Sequence, residues 1–285
     1  EDLILDARLN ILNQYIDKFI ICEASFTHSG RKKKLNFDIN KFSKFKDKII
    51  YTVQDTEPNN ITYQDEIKKI ENPINWRANA VKRIAHQRNK LLDEVGKHAD
   101  MNDYILYSDN DEIPNLEKLD FKKIKEKIIL FQQDMFYYKF NLKLPNLVWS
   151  GTKGCRKKDL INPQWLRNIK DRKYSFFRFD TFFSKTKYSN IKFISNGGWH
   201  FSNIKNASDI EFKLRSYLHH REFDENPMTV QEIEKIIKNK QAIYDLKVDK
   251  RINKIGDGSK LENYPTYKLP KYLQLNISKF EKWID

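Results

Sequence analysis

The chain has 285 residues, 39% hydrophobic and 13% aromatic, with 53 basic residues against 39 acidic and a net charge of +14. That apolar content builds a core and excludes a disordered tail or fibrous repeat, and eight Gly with eight Pro exclude a collagenous or linker-rich chain. No run approaches the roughly eighteen apolar residues of a membrane span, and the positive balance asks for an anionic partner: nucleic acid, an anionic membrane surface or a phosphate-bearing substrate.

In chain order, Leu5, Leu9, Leu12 and Ile16 follow 4-3-4 spacing and predict a helix. Phe19 to Glu23 and Ile49 to Val53 are short apolar runs that predict strands. Cys22 reads as a small buried hydrophobe. With Cys155 it makes neither a disulfide framework nor a C-x-x-C pair, which fits a reducing compartment. The basic run Arg31-Lys32-Lys33-Lys34 reads as a solvated loop. The helical period returns from Trp76 to about Val95, with Val81, Ile84, Leu91 and Val95 on one side. Tyr104 to Ser108 is nearly continuous apolar, as expected of a parallel strand covered on both faces. Leu116, Leu119, Ile124 and Ile128 predict another helix.

Beyond residue 130 the texture shifts to aromatic-rich extended segments at Met135–Tyr138 and Phe176–Phe179. Capping boxes at Ser208–Glu211 and Thr229–Glu232 start two further helices. Lys254 to Tyr264 reads as a loop, and a short last helix starts at Pro270. This rhythm predicts an α/β fold: an open, mostly parallel sheet flanked by helices, in a single domain with an elaborated second half.

Asp109-Asn110-Asp111-Glu112 follows a strand directly. In open α/β sheets ligands sit beyond the carboxyl ends of strands. Two carboxylates one residue apart there hold a hard divalent cation, which in turn neutralises a diphosphate. A solvated turn bent at Asn110 and Asp111 is the alternative reading. Counted from Val81 and Ile84, Arg88 falls on the apolar face. Arginine keeps its proton, so an inward Arg88 needs an anion: a carboxylate such as Glu23, or a nucleotide phosphate or ribose. Glu23 ends its own strand and reaches the same rim, for a base, a ribose or a structural ion pair. His200 sits in Gly197-Gly198-Trp199-His200-Phe201-Ser202, where the glycines permit a tight bend or close approach. Its neutral imidazole suits a third metal ligand, or a structural role. Trp149, Trp165 and Trp199 offer faces for sugar stacking or for core packing.

Taken together, Glu23-Ala24 with Thr27 and Gly30, Gln87-Arg88-Asn89, Ser108-Asp109-Asn110-Asp111-Glu112-Ile113-Pro114, Gly198-Trp199-His200-Phe201-Ser202 and Tyr267-Lys268-Leu269-Pro270-Lys271-Tyr272-Leu273 resemble glycosyltransferase family 17, in the family's order and over nearly the whole chain. Its best-known members are bisecting β-1,4-N-acetylglucosaminyltransferases acting on the β-mannose of N-glycans. The resemblance implies a GT-A-like (Rossmann-like) fold. Residues 1–130 would form the nucleotide-sugar and metal half, and 131–285 the acceptor-side half with the C-terminal helices. It implies inverting transfer of GlcNAc from UDP-GlcNAc to a glycan hydroxyl with a divalent metal, Mn²⁺ before Mg²⁺. Asp109 and Asp111 match the D-x-D metal motif, Asp111 being the first direct ligand, and His200 matches the family's G-W-H as a further metal or diphosphate contact. Arg88 and Asn89 match the Q-R-N segment on the donor side, Glu23 would read the nucleotide, and Lys33 would meet phosphate. For the base that activates the acceptor, Glu112 comes first. Asp180, Asp209 and Glu222 are alternatives, the last in an H-x-E, His220-Arg221-Glu222, shared with some members. The basic Arg31-to-Lys34 run departs from a more proline-spaced stretch, and members usually carry a strand upstream of the first helix.

The partners expected are a nucleotide-sugar donor and a glycan acceptor, without nucleic acid, peripheral membrane contact being left open. The location expected is cytoplasmic, of microbial or viral type, with a Golgi anchor upstream of Glu1 left open. Two other classes compete. A metal-dependent nucleotidyl or phosphoryl transferase would use the same Asp pair. A non-catalytic nucleic-acid-binding protein would use the charge and the aromatics, yet no recognition helix, RNP-like or zinc-finger motif supports it.

Overall fold

A computed structural model describes the chain apart from Glu66, Phe176, residues 217–222, Glu225 and residues 244–257. In chain order the elements are α1 (Asp2–Leu12), β1 (Phe19–Ala24), β2 (Ile49–Gln54), β3 (Tyr63–Asp65), β4 (Ile70–Glu71), α2 (Trp76–His98), β5 (Tyr104–Tyr107), β6 (Glu112–Pro114), β7 (Ile128–Tyr137) and β8 (Leu142–Arg156). Then come α3 (Pro163–Asn168), α4 (Asp180–Phe183), β9 (Ile191–Ile194), β10 (Gly198–Ser202), α5 (Ala207–Leu214), α6 (Val230–Lys238), β11 (Glu262–Asn263) and α7 (Lys271–Leu275). These fall into two compact units, Lys18–Glu94 with Lys205–Ser259, and Glu1–Asp17 with Val95–Ile204 and Lys260–Asp285.

In the first of these units the two apolar runs pair as expected. β1 lies parallel to β2, from Phe19 opposite Ile49 to Ala24 opposite Gln54. Helix α2 forms over the expected stretch, but its inward stripe differs from the one counted on Val81 and Ile84. Asn79, Ala80 and Arg83 are buried at 0%, 0% and 2% exposure, while Val81 is 46% exposed. Apolar periodicity treats charged residues as outward, and here an arginine goes inward because it meets two carboxylates, Glu57 and Glu71. Helix α5 packs on α6. The Thr229–Glu232 capping box forms as expected. At α5 the N-cap is Asn206, so Ser208 falls inside the first turn and the box expected there does not form.

The other unit holds a seven-stranded sheet. The expectation of a mostly parallel sheet holds in part, because the sheet is mixed. β7 runs parallel to β9 and β10. β8 is antiparallel to β7, β5 and β11 are antiparallel to β8, and β6 is antiparallel to β10. At 15 residues, β8 is long enough to pair with β7 along one edge and to offer its two ends to β5 and β11 along the other.

Strand β7 begins in the core, with Ile128, Ile129, Leu130 and Phe131 each at 0% exposure. The helix expected over Leu116 to Ile128 is replaced by a single 3-10 turn, Phe121–Lys123, which Asp120 caps at Lys122 N, 3.0 Å. The apolar run from Ile128 onward fits a central strand, and periodicity alone does not separate that from a buried helix. Met135 to Tyr137 are in β7 as expected, whereas Phe177 and Phe179 lie exposed before α4 (Phe176 falls outside the described residues). The loop expected up to Tyr264 contains the two residues of β11, and Pro270 caps α7. Phe136, Phe140, Phe201 and Phe280 close the core, with ring centroids 4.9 to 5.4 Å apart along the chain of contacts. Among the described residues no helix is long and apolar enough to cross a membrane.

Gly198 has φ +131°, and a Cβ there would stand 2.1 Å from the carbonyl oxygen of Ile113. The glycine therefore lets β10 close on β6. Gly198→Ala is expected to destabilise the protein by more than about 1 kcal/mol, read as a lower urea midpoint. An unchanged midpoint would show that the β6–β10 pairing does not need this backbone.

Candidate functional site

The acidic turn lies between β5 and β6. Glu112 N donates to the Asp109 carbonyl at 3.1 Å and so closes it. Arg8 of α1 holds it from outside, its Nη1 donating to the carbonyls of Asp109 at 3.3 Å and Glu112 at 2.5 Å. Burial lowers the Arg8 pKa, against the opposing pull of Glu112, Asp111 and Asp109.

The Glu112 side chain is 1% exposed. Its carboxylate accepts from Arg167 Nη1 at 2.9 Å, Arg167 Nη2 at 2.8 Å, Trp149 Nε1 at 2.7 Å and Asp109 N at 3.0 Å. Arg167 comes from α3, a short helix that Asn162 caps at Trp165 N, 2.7 Å, and that Trp165 and Leu166 anchor in the core. The same guanidinium reaches Asp109 Oδ2 at 3.1 Å. Burial alone would lower the Arg167 pKa, but the charges of Glu112 and Asp109 outweigh it and hold it above its usual value.

Asp111 turns the other way. Strand β10 pairs with β6 so that His200 stands opposite Glu112, and Phe201 N donates to the Asp111 carbonyl at 2.8 Å. This brings His200 Nε2 to 3.5 Å from Asp111 Oδ1. Two donor atoms on one hard cation, each at about 2.1 Å, lie roughly 3 to 4 Å apart, so this pair fits a shared ion. Asp109 Oδ1 instead accepts from Tyr107 Oη at 2.9 Å. Among the described residues no three His, Cys, Asp or Glu side chains form a ready metal cluster.

The four acid and imidazole candidates Asp109, Asp111, Glu112 and His200 thus come together. The donor-side candidates lie in the other unit. There Glu23 accepts from Lys33 Nζ at 2.6 Å, from Asn36 N and Phe37 N at 2.9 to 3.0 Å, and from Tyr51 Oη at 3.2 Å. Burial would raise the Glu23 pKa, but Lys33 and the Phe37 and Asn36 amides lower it below the usual value. Its carboxylate pins the following loop. Arg88 and Asn89 are half-buried on α2. A cavity of about 520 Å³ opens beyond the ends of β1 and β2, lined by Ser25, Gly30, Lys33, Asp55, Glu57 and Arg83 among others. Glu222 lies outside the described residues. Asp180 is exposed between Arg178 and Lys187, which lower its pKa to about 2, and Asp209 is exposed in the first turn of α5.

Arg8, Arg83, Trp149 and Arg167 were not anticipated in these roles. The one local hint is for Arg8 and Arg83, charges amid apolar helix positions. Nothing local marks Arg167, which meets Glu112 across 55 positions of sequence. Lys153 of β8 is a further buried cation, 6% exposed, donating to the carbonyls of Arg167 at 2.7 Å and Ile169. Burial and then the Arg167 charge pull its pKa down to about 8.

The model of the family described as Glycosyltransferase family 17 matches residues 1–284. No curated protein and no solved structure matches the chain.

Two outcomes follow from this geometry. Arg167→Met leaves the Glu112 carboxylate buried with its two cationic donors gone, and is expected to cost about 3 kcal/mol, read from urea denaturation; a loss below about 1 kcal/mol would show that the pair is not needed. Lys153 binds its proton less tightly folded than unfolded, so the unfolded chain carries the extra proton above about pH 8. Stability contributed at this site therefore rises from about pH 8 toward 10.5, the ordinary lysine value, and is flat below. Unfolding measured across that window should lose this slope in Lys153→Met.

Proposed function

The chain belongs to glycosyltransferase family 17, and we propose that its reaction is the inverting transfer of GlcNAc from UDP-GlcNAc to a glycan hydroxyl, on a GT-A-like fold, with Mn²⁺ or Mg²⁺. The observation that carries this reading is the Asp109–Glu112 turn beyond β5, with His200 3.5 Å from Asp111. Asp111 and His200 would hold the ion, which when bound supplies positive charge for the departing diphosphate. The acceptor oxygen bonds to the anomeric carbon as the bond from that carbon to the β-phosphate oxygen breaks. UDP leaves with the electron pair, and the hydroxyl proton passes to a carboxylate.

Arg8 and Arg167 fix the turn before substrate arrives, so Asp111 needs no rearrangement to act. Glu112 already accepts four hydrogen bonds, which suits a residue that positions Arg167 and Trp149 better than one that collects a proton. Lys33 lines the cavity beyond β1 and β2 and is our choice for a phosphate contact, with Arg88 and Asn89 on the donor side. Glu23 supports the nucleotide indirectly by holding Lys33 and the loop to Phe37.

Incubated with UDP-GlcNAc and Mn²⁺ but no acceptor, the protein is expected to release UDP slowly. EDTA should stop this, and Asp111→Ala should lower it by about 10²-fold or more. Silence in both turnover and binding across UDP-sugars would sink the reading. In the full reaction, Glu112→Gln should keep the acid limb of the pH–rate profile; losing that limb would make Glu112 the base.

A further inference from the structure

A second cavity, of about 330 Å³, lies beside the acidic turn and takes no part in the mechanism above. Its walls include Trp149, Ser150, Lys153, Arg167, Asn168 and Asp171. Of the three tryptophans that offer a sugar-stacking face, Trp165 is buried at 7% exposure with its indole N–H on the Lys185 carbonyl. Trp149 is the one at this cavity. Its N–H is fixed on Glu112, and its ring is set against His200 with centroids 5.3 Å apart. A ring held in that way presents a stationary apolar surface to a pyranose.

The charges of the wall are unequal in a telling way. Arg167 is spent on Glu112 and Asp109. Lys170 and Asp171 also line the cavity, and the negative charge of Asp171 acts on Lys153 from beyond ion-pair distance. Lys153 is different. Its ammonium has three protons and places two of them on backbone carbonyls. Among the described residues no carboxylate lies within ion-pair distance of it, although it is 6% exposed. A buried cation is normally paired. A cavity built for a neutral sugar has no use for one.

We propose that this cavity is an acceptor subsite for a saccharide bearing an acidic group, carboxylate or phosphate, which pairs with Lys153 while its ring stacks on Trp149. The assignment as acceptor rests on the transfer reaction proposed above; the preference for acidic sugars does not.

The test titrates the full chain with glucose, glucuronate and glucose 6-phosphate, following Trp149 and Lys153 by NMR. Both acids are expected to bind at least tenfold more tightly than glucose and to shift the Lys153 signal, the two arms separating carboxylate from phosphate. Lys153→Met should abolish the difference, and Lys122→Gln, an exposed lysine in the 3-10 turn before β7, should keep it. Equal binding of the three sugars to the wild-type protein overturns the proposal, as does an unchanged preference in Lys153→Met. Should that variant not fold, a wild-type Lys153 signal unmoved by either acid overturns it equally. Displacement of the acids by UDP would overturn the acceptor assignment and give the cavity to the donor diphosphate. If the reaction reading fails, the pattern is distinct: no UDP release from UDP-GlcNAc, with the acid preference of the cavity intact.

Discussion

The candidate site depends on one requirement, that the carboxylate of Glu112, shut away from water, be satisfied where it stands. Its solution is Arg167, bidentate on Glu112 and also in contact with Asp109 and the Gly151 carbonyl. That single guanidinium ties α3, the acidic turn and the middle of β8 into one arrangement. Gly151 shows how little room the arrangement leaves. A Cβ there would stand 1.9 Å from Gln133 Oε1 and 2.9 Å from the Glu112 carboxyl carbon. The backbone must come that close for its carbonyl to complete the shell around Arg167.

The two faces of the D-x-D turn separate their work because of this pair. Asp109 is drawn to Arg167 and Tyr107, and Asp111 is left facing His200. A motif that reads as two equivalent carboxylates is thus split by its surroundings into one acid that ties the loop to Arg167 and Tyr107 and one that faces the imidazole of His200. Glu23 repeats the lesson in the other unit. A carboxylate at the end of a strand reads as a ligand contact, and its oxygens are occupied by Lys33, Tyr51 and two loop amides.

Much of this was legible in the sequence where the signal is local. β1 and β2 announce themselves as short β-branched runs, α2 by its period, and the acidic turn by its place at a strand end. Gly198 could be read as a point of close approach because glycine has few other uses there. What was not legible is long-range. The run from Leu116 to Ile128 has helical spacing, yet Ile128 enters the central strand, since β8 and β9 on either side offer it more burial than a surface helix would. Arg83 rather than Arg88 is the deeply buried arginine of α2, because Glu57 and Glu71 wait for it and no count along the helix can see them. β5 looks like a parallel strand and is antiparallel, since it takes the edge of β8 opposite β7, at the same residues Lys153 to Cys155.

The Asp111–His200 pair joins elements of unequal firmness. His200 is carried on β10, which hydrogen-bonds along its length to the buried strand β7 and can leave only if the sheet itself opens. Asp111 is carried on a turn held by two arginine side chains and joined to β10 by the bond from Phe201 N to the Asp111 carbonyl. A cation bridging the two would hand the loop part of the sheet's permanence. The cost of ordering would then fall on one side of the ion only, and the dwell time of a bound nucleotide would be set by how often the turn breathes, while the imidazole waits in place.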